Sequence, residues 1–335
     1  MKKNLLPEKG SFYKAELHIH TTISDGTSTP EELKKLHQEQ GYSIIAITDH
    51  NILLPHNELT DENFLAITAA EWSVYENDEK AYHINVYSKD PNRVRSSLFS
   101  KEYVHKNAWP YITEEMLKDD DHRSYSQEYL NDAIRRAKEE GFLVSFNHPV
   151  WSLNHYPDYC DLEGVWGLEV VNYGGLTSGY PENVQPLDDF LVQGKQVFPL
   201  CVTDAHHVRQ MFGGFVMVKA EKLEYRTVME ALERGDFYAS AGPAFEDLYL
   251  EDGVLKVRCS KVKRIRLSTG IRYARMKMAK DGEFLTSAEF DLKAHLERCI
   301  TVREETGVNS YVRITLTDEA GREAYSRAYF LDELM

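Results

Sequence analysis

Residues 13–48 read YKAELHIHTTISDGTSTPEELKKLHQEQGYSIIAIT, and the fold turns on this stretch. Glu16–His20 reads as a short strand. Thr29-Pro30-Glu31-Glu32 then opens a helix. Thr29 suits the N-cap, Pro30 the first turn, and Glu32 can reach back to complete a capping box. The helix is expected to run to about Gln40 and to stop at Gly41. Ser43–Thr48 follows as a buried strand. Strand, helix and strand in this order imply a parallel sheet, open or closed into a barrel.

The same grammar recurs outward to about residue 240. Strands are expected at Phe64–Ala70, Tyr82–Tyr87, Phe142–Phe146, Gly167–Asn172, Gln196–Thr203, Phe215–Val218 and Phe237–Ser240. Helices are expected at Gln127–Glu140, Val184–Gln193 and Glu224–Arg234. Between Lys89 and Ser126 the periodicity weakens, and about 89–126 reads as a long insertion or lid. After Gly242-Pro243 short alternating runs take over without long helices, Glu289–Leu292 and Cys299–Arg303 among them. The expected organisation is an α/β domain over 1–243 and a smaller antiparallel β-sandwich over 244–335.

The chain has 335 residues, 42% of them hydrophobic, which excludes wholesale disorder. Its net charge is −15, and residues 244–335 hold as many acidic as basic side chains, so all of that charge lies in the α/β part. This argues against a sequence-independent nucleic-acid coat protein. No apolar run is long enough to span a bilayer. The start, MKKNLLPEKG, has no apolar signal region, and the four cysteines form no CxxC pair. A cytoplasmic protein with no membrane association and no obligate protein partner is expected.

Ionisable residues gather at the strand ends. His18 and His20 lie two apart and so share one face of a strand. Asp25 follows in the next loop. His50, Glu71, His148, Asp204 and His206 each sit where an apolar run stops. In a parallel barrel such ends converge on one mouth. Imidazole and carboxylate together suit two or three divalent ions of Mn, Zn or Fe. One such histidine is ordinarily structural, but burying all of these without a shared role would require a separate partner for each. His83 lies near the start of its strand and is the weakest by pattern.

In order, the motifs are HIH (18–20), SDG (24–26), TDHN (48–51), AEWS (70–73), HINVY (83–87), FNHP (146–149) and TDAHH (203–207). This set resembles the PHP family, the polymerase and histidinol phosphatase domain, over roughly 13–242. The resemblance implies a distorted (β/α)7 barrel holding up to three metal ions. It implies that His18, His20, Glu71 and Asp204 hold the first, with Glu71 bridging to a second held by His83 and His148. Asp25, His50 and His206 would hold the third. The stretch RGDFYASAGP (234–243), leading into a β-domain, resembles the phosphoesterase branch of the family, which includes exonuclease-like members.

The implied chemistry is hydrolysis of a phosphomonoester, nucleotide or short oligonucleotide by a metal-bridging hydroxide. Glu71, Asp204 and His206 are expected to be catalytic as well as ligating. Asp49 is expected to orient a histidine. His207, Arg209 and His155 are candidates for contact with the phosphorylated substrate, and His37 is expected on the surface of the first helix. The alternatives are a histidinol-phosphate phosphatase, a carboxylic-ester or amide metallohydrolase, and a non-catalytic metal-stabilised binding module. The basic stretch 256–280, with no acidic residue, reads as a solvated strand face, with guidance of a polyanion as the alternative.

Overall fold

The computed structural model describes residues 2–77, 79–181 and 183–335. The first elements are β1 (Lys2–Asn4), β2 (Ser11–Ile19), α1 (Pro30–Glu39), β3 (Ile44–Ile47), β4 (Leu65–Tyr75) and β5 (Ala81–Ser88). Next come α2 (Gln127–Glu139), β6 (Phe142–Phe146), α3 (Tyr156–Tyr159), β7 (Gly167–Asn172), α4 (Tyr173–Thr177), α5 (Gln185–Val192) and β8 (Phe198–Val202). The opening unit forms as its sequence directs. Thr29 and Glu32 make the reciprocal capping box of α1, which stabilises such a helix start by about 1 kcal/mol. Gly41, just beyond the helix, adopts φ +74°, a left-handed turn that glycine takes without strain.

β2, β3 and β4 pair in parallel, as do β6, β7 and β8. β5 runs antiparallel between β4 and β6. The two ends of this path meet at the C-terminal mouth. Asp204 N donates to His18 O (2.8 Å), His20 N donates to Ala205 O (3.2 Å), and Ile19 and Ala205 form a parallel bridge. These bonds bring β2 beside the exit of β8, as a distorted barrel requires. α2 covers the sheet with a helical stripe of Leu130, Ala133, Ile134 and Ala137.

Beyond the barrel lie β9 (Phe215–Ala220), α6 (Tyr225–Arg234) and β10 (Phe237–Ser240). β11 (Phe245–Glu251), β12 (Val254–Val262), β13 (Arg264–Thr269), β14 (Arg275–Met278) and β15 (Leu285–Asp291) follow. The chain ends in α7 (Lys293–Thr306), β16 (Tyr311–Thr317), β17 (Glu323–Ser326), β18 (Tyr329–Phe330) and α8 (Leu331–Leu334). The barrel sheet continues through β9 and β10 into β17, β16, β13 and β14. A second sheet, β1-β11-β12-β15, packs against this extension. Leu248, Leu250, Leu255 and Val257 of one layer share a core with Ile265, Leu267, Ile314 and Leu316 of the other, giving an antiparallel sandwich.

Three local readings are corrected. Cys299–Arg303, read as a strand for its β-branched residues, lies inside helix α7. There His295 and Cys299, four apart, form the buried face, a helical spacing that overrides local propensity. His37 is fully buried in α1, packed on Tyr42 and Phe212. The insertion after Lys89 is no loose lid: Leu98, Phe99, Val104, Ala108 and Met116 are buried in the barrel core. Among the described residues no helix is long and apolar enough to cross a membrane.

Candidate metal centre

Each strand delivers its polar residue to the same mouth. His18 and His20, both buried, project from the end of β2. Asp25 stands on the following loop, which turns so tightly at Gly26 that a Cβ there would meet His20 O at 2.4 Å. Asp49 holds this loop: its carboxylate accepts from Thr21 N (2.8 Å), Thr21 Oγ1 (2.6 Å), Ser24 N (3.2 Å) and Ser24 Oγ (2.6 Å). Its partners are therefore loop residues and not, as expected, a histidine ring. His50 leaves β3 one residue before Asn51, whose φ is +59°. β4 runs to Tyr75, five residues past its expected end, so Glu71 sits inside the strand. His148 and Asp204 follow β6 and β8 with φ +25° and +49°, backbone strain of the kind that gathers at functional sites.

The position of His83 follows from strand direction. β5 is antiparallel to its neighbours, so its beginning lies where theirs end, and Ser73 of β4 pairs with His83.

All nine expected ligands converge. The donor atoms of His18, His20, Glu71 and Asp204 lie within 4.8 Å of one another, as do those of Glu71, His83 and His148, and those of His20, Asp25, His50 and His206. Glu71 is central. Its Oε1 lies 3.0 Å from His83 Nδ1 and 3.2 Å from His148 Nε2, and its Oε2 lies 3.0 Å from His50 Nδ1 and 3.3 Å from His20 Nε2. His20 Nε2 also faces His18 Nε2 at 3.3 Å and Asp204 Oδ1 at 3.1 Å.

The donor set fits divalent cations. Two imidazole nitrogens aimed at each other across a carboxylate leave lone pairs converging on one point. Glu71 Oε2, His50 Nδ1 and His83 Nε2 are buried without a well-formed hydrogen bond. Buried polar atoms left this way cost stability unless another partner, such as an ion, engages them.

A layer behind the ligands fixes their orientation, and most of it escaped the sequence reading. Glu169, on β7, accepts from His18 Nδ1 (2.6 Å), His148 N (3.0 Å) and Asn172 Nδ2 (2.9 Å). The first bond leaves His18 Nε2 facing the centre. Asn172 Nδ2 also donates to Asp204 Oδ2 (3.1 Å), and Asn147 Nδ2 donates to Glu71 Oε1 (3.0 Å). His206 is held through Nδ1, 3.0 Å from Asp204 O. Glu16, fully buried, accepts from Thr203 Oγ1 (2.7 Å), Thr203 N (3.2 Å) and His18 N (3.1 Å). Burial pushes its carboxyl up to about 7 against these bonds. A single acid within an apolar strand, as in AELHI or GLEVV, is the signal that marks both glutamates.

Electrostatics favour positive charge at the centre. Burial would raise the Glu71 and Asp204 carboxyls, but His18 and its neighbours hold both far below the usual range. Burial would lower His18, yet Asp204, Glu169 and Glu71 raise it well above an ordinary histidine. His206 rises to about 9 despite burial, chiefly through Asp25 and Asp204. His83 is the exception: burial dominates and lowers it.

His155, His207 and Arg209 are exposed, and none belongs to the ligand groups above. Asn51, Tyr75, Glu102, Tyr103 and His105 line a pocket with Asp25 and His50. Arg123 fastens the insertion there. It donates to Asn51 Oδ1 and Ser73 O, both at 2.5 Å, and its guanidinium lies 4.2 Å from the Tyr103 ring centre.

Residues 16–143 match the family model of the PHP domain. This chain carries a PHP domain. The matched segment holds His18, His20, Asp25, His50, Glu71 and His83, while His148, Glu169, Asp204 and His206 join them from beyond it. No curated protein matches the chain. Among solved structures it is similar to a two-domain protein from Bacteroides vulgatus containing a predicted PHP-like metal-dependent phosphoesterase. That likeness has 16% identity and a TM-score of 0.46, covering 98% of this chain and 97% of the other. An amidohydrolase from Chromobacterium violaceum is 15% identical with a TM-score of 0.41, over 58% of this chain and 88% of that one. A lesion-specific endonuclease from Pyrococcus furiosus is 14% identical with a TM-score of 0.41, over 67% and 56%. These likenesses are distant and say nothing of this chain's activity.

Proposed function

We propose that this protein is a metal-dependent phosphoesterase acting on a phosphomonoester, nucleotide or short oligonucleotide. The reading rests on one observation: three overlapping His/carboxylate groups share Glu71 and His20 at the barrel mouth. Divalent ions held there would acidify a water and neutralise a phosphoryl group. Glu71, whose two oxygens face different histidines, would supply negative charge to hold several cations close together, and such a centre would favour an anionic phosphoryl group over a neutral amide.

The chain's own residues supply order. Glu169 holds His18 and the His148 backbone, Asn172 holds Asp204, and Asn147 holds Glu71. Asp49 fixes the loop that presents Asp25. The ligands are thus set before substrate arrives, which is where electrostatic catalysis gains most. Asp25, 38% exposed at its side chain, and His206 face the open side and would meet the phosphate first.

The test pairs metal analysis with a screen on a phosphomonoester, a phosphodiester, a 5′-phosphorylated oligonucleotide, a carboxylic ester and an amide. Metal-loaded protein should turn over a phosphate ester. Turnover confined to the carboxylic ester or amide would replace this reading with another hydrolase. Bound metal without turnover on any of them would make the centre structural.

A further inference from the structure

We infer that the pocket between Asp25, Tyr75, Glu102 and His105 seats the alcohol part of a phosphomonoester, and that this alcohol is a nucleoside: a flat, hydrogen-bonding ring on an uncharged sugar. The inference rests on the phosphoesterase reading and narrows its substrate class to mononucleotides. The pocket has a volume of about 490 Å³. That lies inside the range of roughly 300–1,000 Å³ usual for small-ligand sites. Two of its lining residues, Asp25 and His50, belong to the candidate metal group they form with His20 and His206. A phosphate held by that group has the pocket beside it, and the rest of the ester has a place to go.

The walls come from two parts of the chain. Asp25, His50 and Tyr75 belong to the barrel and its loops, while Glu102, Tyr103 and His105 belong to the insertion. The second wall is fastened to the first. Asn107 Nδ2 donates to Ser24 O (2.8 Å), next to Asp25, and Arg123 ties the insertion to Asn51 and Ser73. Tyr75 and Tyr103 lie parallel within 4°, ring centres 6.0 Å apart. Tyr75 also stands edge-on to His83, ring centres 5.8 Å apart at 84°. Held by both rings, Tyr75 is still 48% exposed. A fixed aromatic side chain left open beside a phosphate site is a stacking platform, and every base offers it a π-face. The Glu102 carboxylate only accepts hydrogen bonds when ionised, so it suits a ring whose edge carries an N–H donor. Charge limits the ligand to one phosphate. Among the described residues no Lys or Arg lines the pocket, and Asp25 and Glu102 are acidic. A second phosphate would meet like charge with no cation of the chain to pair it, which disfavours an oligonucleotide.

The experiment uses the metal-loaded full chain. Calorimetry compares methylphosphonate with the phosphonate analogue of adenosine 5′-monophosphate, in which a methylene replaces the ester oxygen, so that neither can be hydrolysed. The nucleoside phosphonate should bind about 10-fold more tightly, the effect of one stacked base. Tyr75→Ala should remove that preference and Tyr75→Phe should keep most of it. Turnover then compares kcat/KM for adenosine 5′-monophosphate, glycerol phosphate and adenosine 3′,5′-bisphosphate. The mononucleotide should lead glycerol phosphate by a similar factor, and Tyr75→Ala should abolish the lead. The ratio cancels any loss of metal common to both substrates. The bisphosphate should gain nothing over the mononucleotide in the wild type and should gain in Glu102→Lys. Equal values for nucleoside and non-nucleoside ligands in the wild type, or a preference untouched by Tyr75→Ala and Tyr103→Ala, overturns the subsite and leaves the phosphoesterase reading standing. A wild-type preference for the bisphosphate over the mononucleotide overturns the single-phosphate class. Absence of both binding and turnover with every one of these compounds overturns the two readings together.

Discussion

The barrel mouth and the sandwich treat charge in opposite ways. At the mouth Glu16, His18 and Glu71 are completely buried, and Glu169 and His148 nearly so. In the sandwich the shared core is apolar, and the basic stretch stays on outer faces. Lys256 pairs with Glu251 (2.8 Å), Arg258 with Glu246 (3.2 Å) and Lys263 with Glu319 (3.2 Å), all at the surface. Arg313, buried in the sandwich, is paired with Asp188 of α5 at 2.8 Å. Taking an ion out of water costs several kcal/mol, so a cluster such as the barrel's is kept for what it binds. The sandwich is built for stability, the mouth against it.

That contrast breaks first at a ligand. His20→Ala should lower metal content and turnover together, by at least about 100-fold, the upper range for residues one layer behind a metal. The metal-free variant should melt no lower than the metal-free parent, since a buried ionisable group has gone. Full metal with full activity would dissolve the contrast. Leu316→Ala should do the reverse, costing about 2–5 kcal/mol in denaturant unfolding while metal per folded molecule is unchanged. Metal loss in the folded variant would show that the two regions are one unit.

A smaller effect tests a buried histidine away from the metals. Burial lowers His37 to about 4, so in the folded protein it stays neutral when the unfolded chain, near 6.5, takes a proton. The unfolded state then binds more protons, and stability falls as pH drops from about 6.5 to about 4, by at most about 3 kcal/mol. His37→Leu should flatten that part of the stability–pH curve. An unchanged slope would mean the loss belongs to the mouth.

The opening strand–helix–strand unit was readable because caps and breakers act locally: Thr29, Glu32 and Gly41 do what their neighbours dictate. The ligands were readable because each interrupts an apolar run. His83 was not, because no local pattern tells the direction of β5, and direction alone puts its beginning at the mouth. Glu169 hides in mid-strand, where one acid looks like a solvent-facing residue until the sheet is known to be covered on both sides. α7 was missed because Cys299-Ile300-Thr301-Val302 is rich in strand formers, while its partner contacts come at helical spacing. His155, His207 and Arg209 carry suitable chemistry and are exposed, so contact with a substrate stays a proposal for them.

The seam between β2 and the exit of β8 also has a history in time. His20 and Asp204, 3.1 Å apart, are separated by 184 positions of chain. During synthesis the group of Glu71, His83 and His148 is complete long before Asp204 leaves the ribosome. Closing so long a loop carries a large entropic penalty, and contacts of this span form late. The backbone bonds of this seam and the His18–His20–Asp204 group need the same two segments to meet. A cation bound there would clasp a loop of 184 residues, adding to the two backbone bonds that close the same seam.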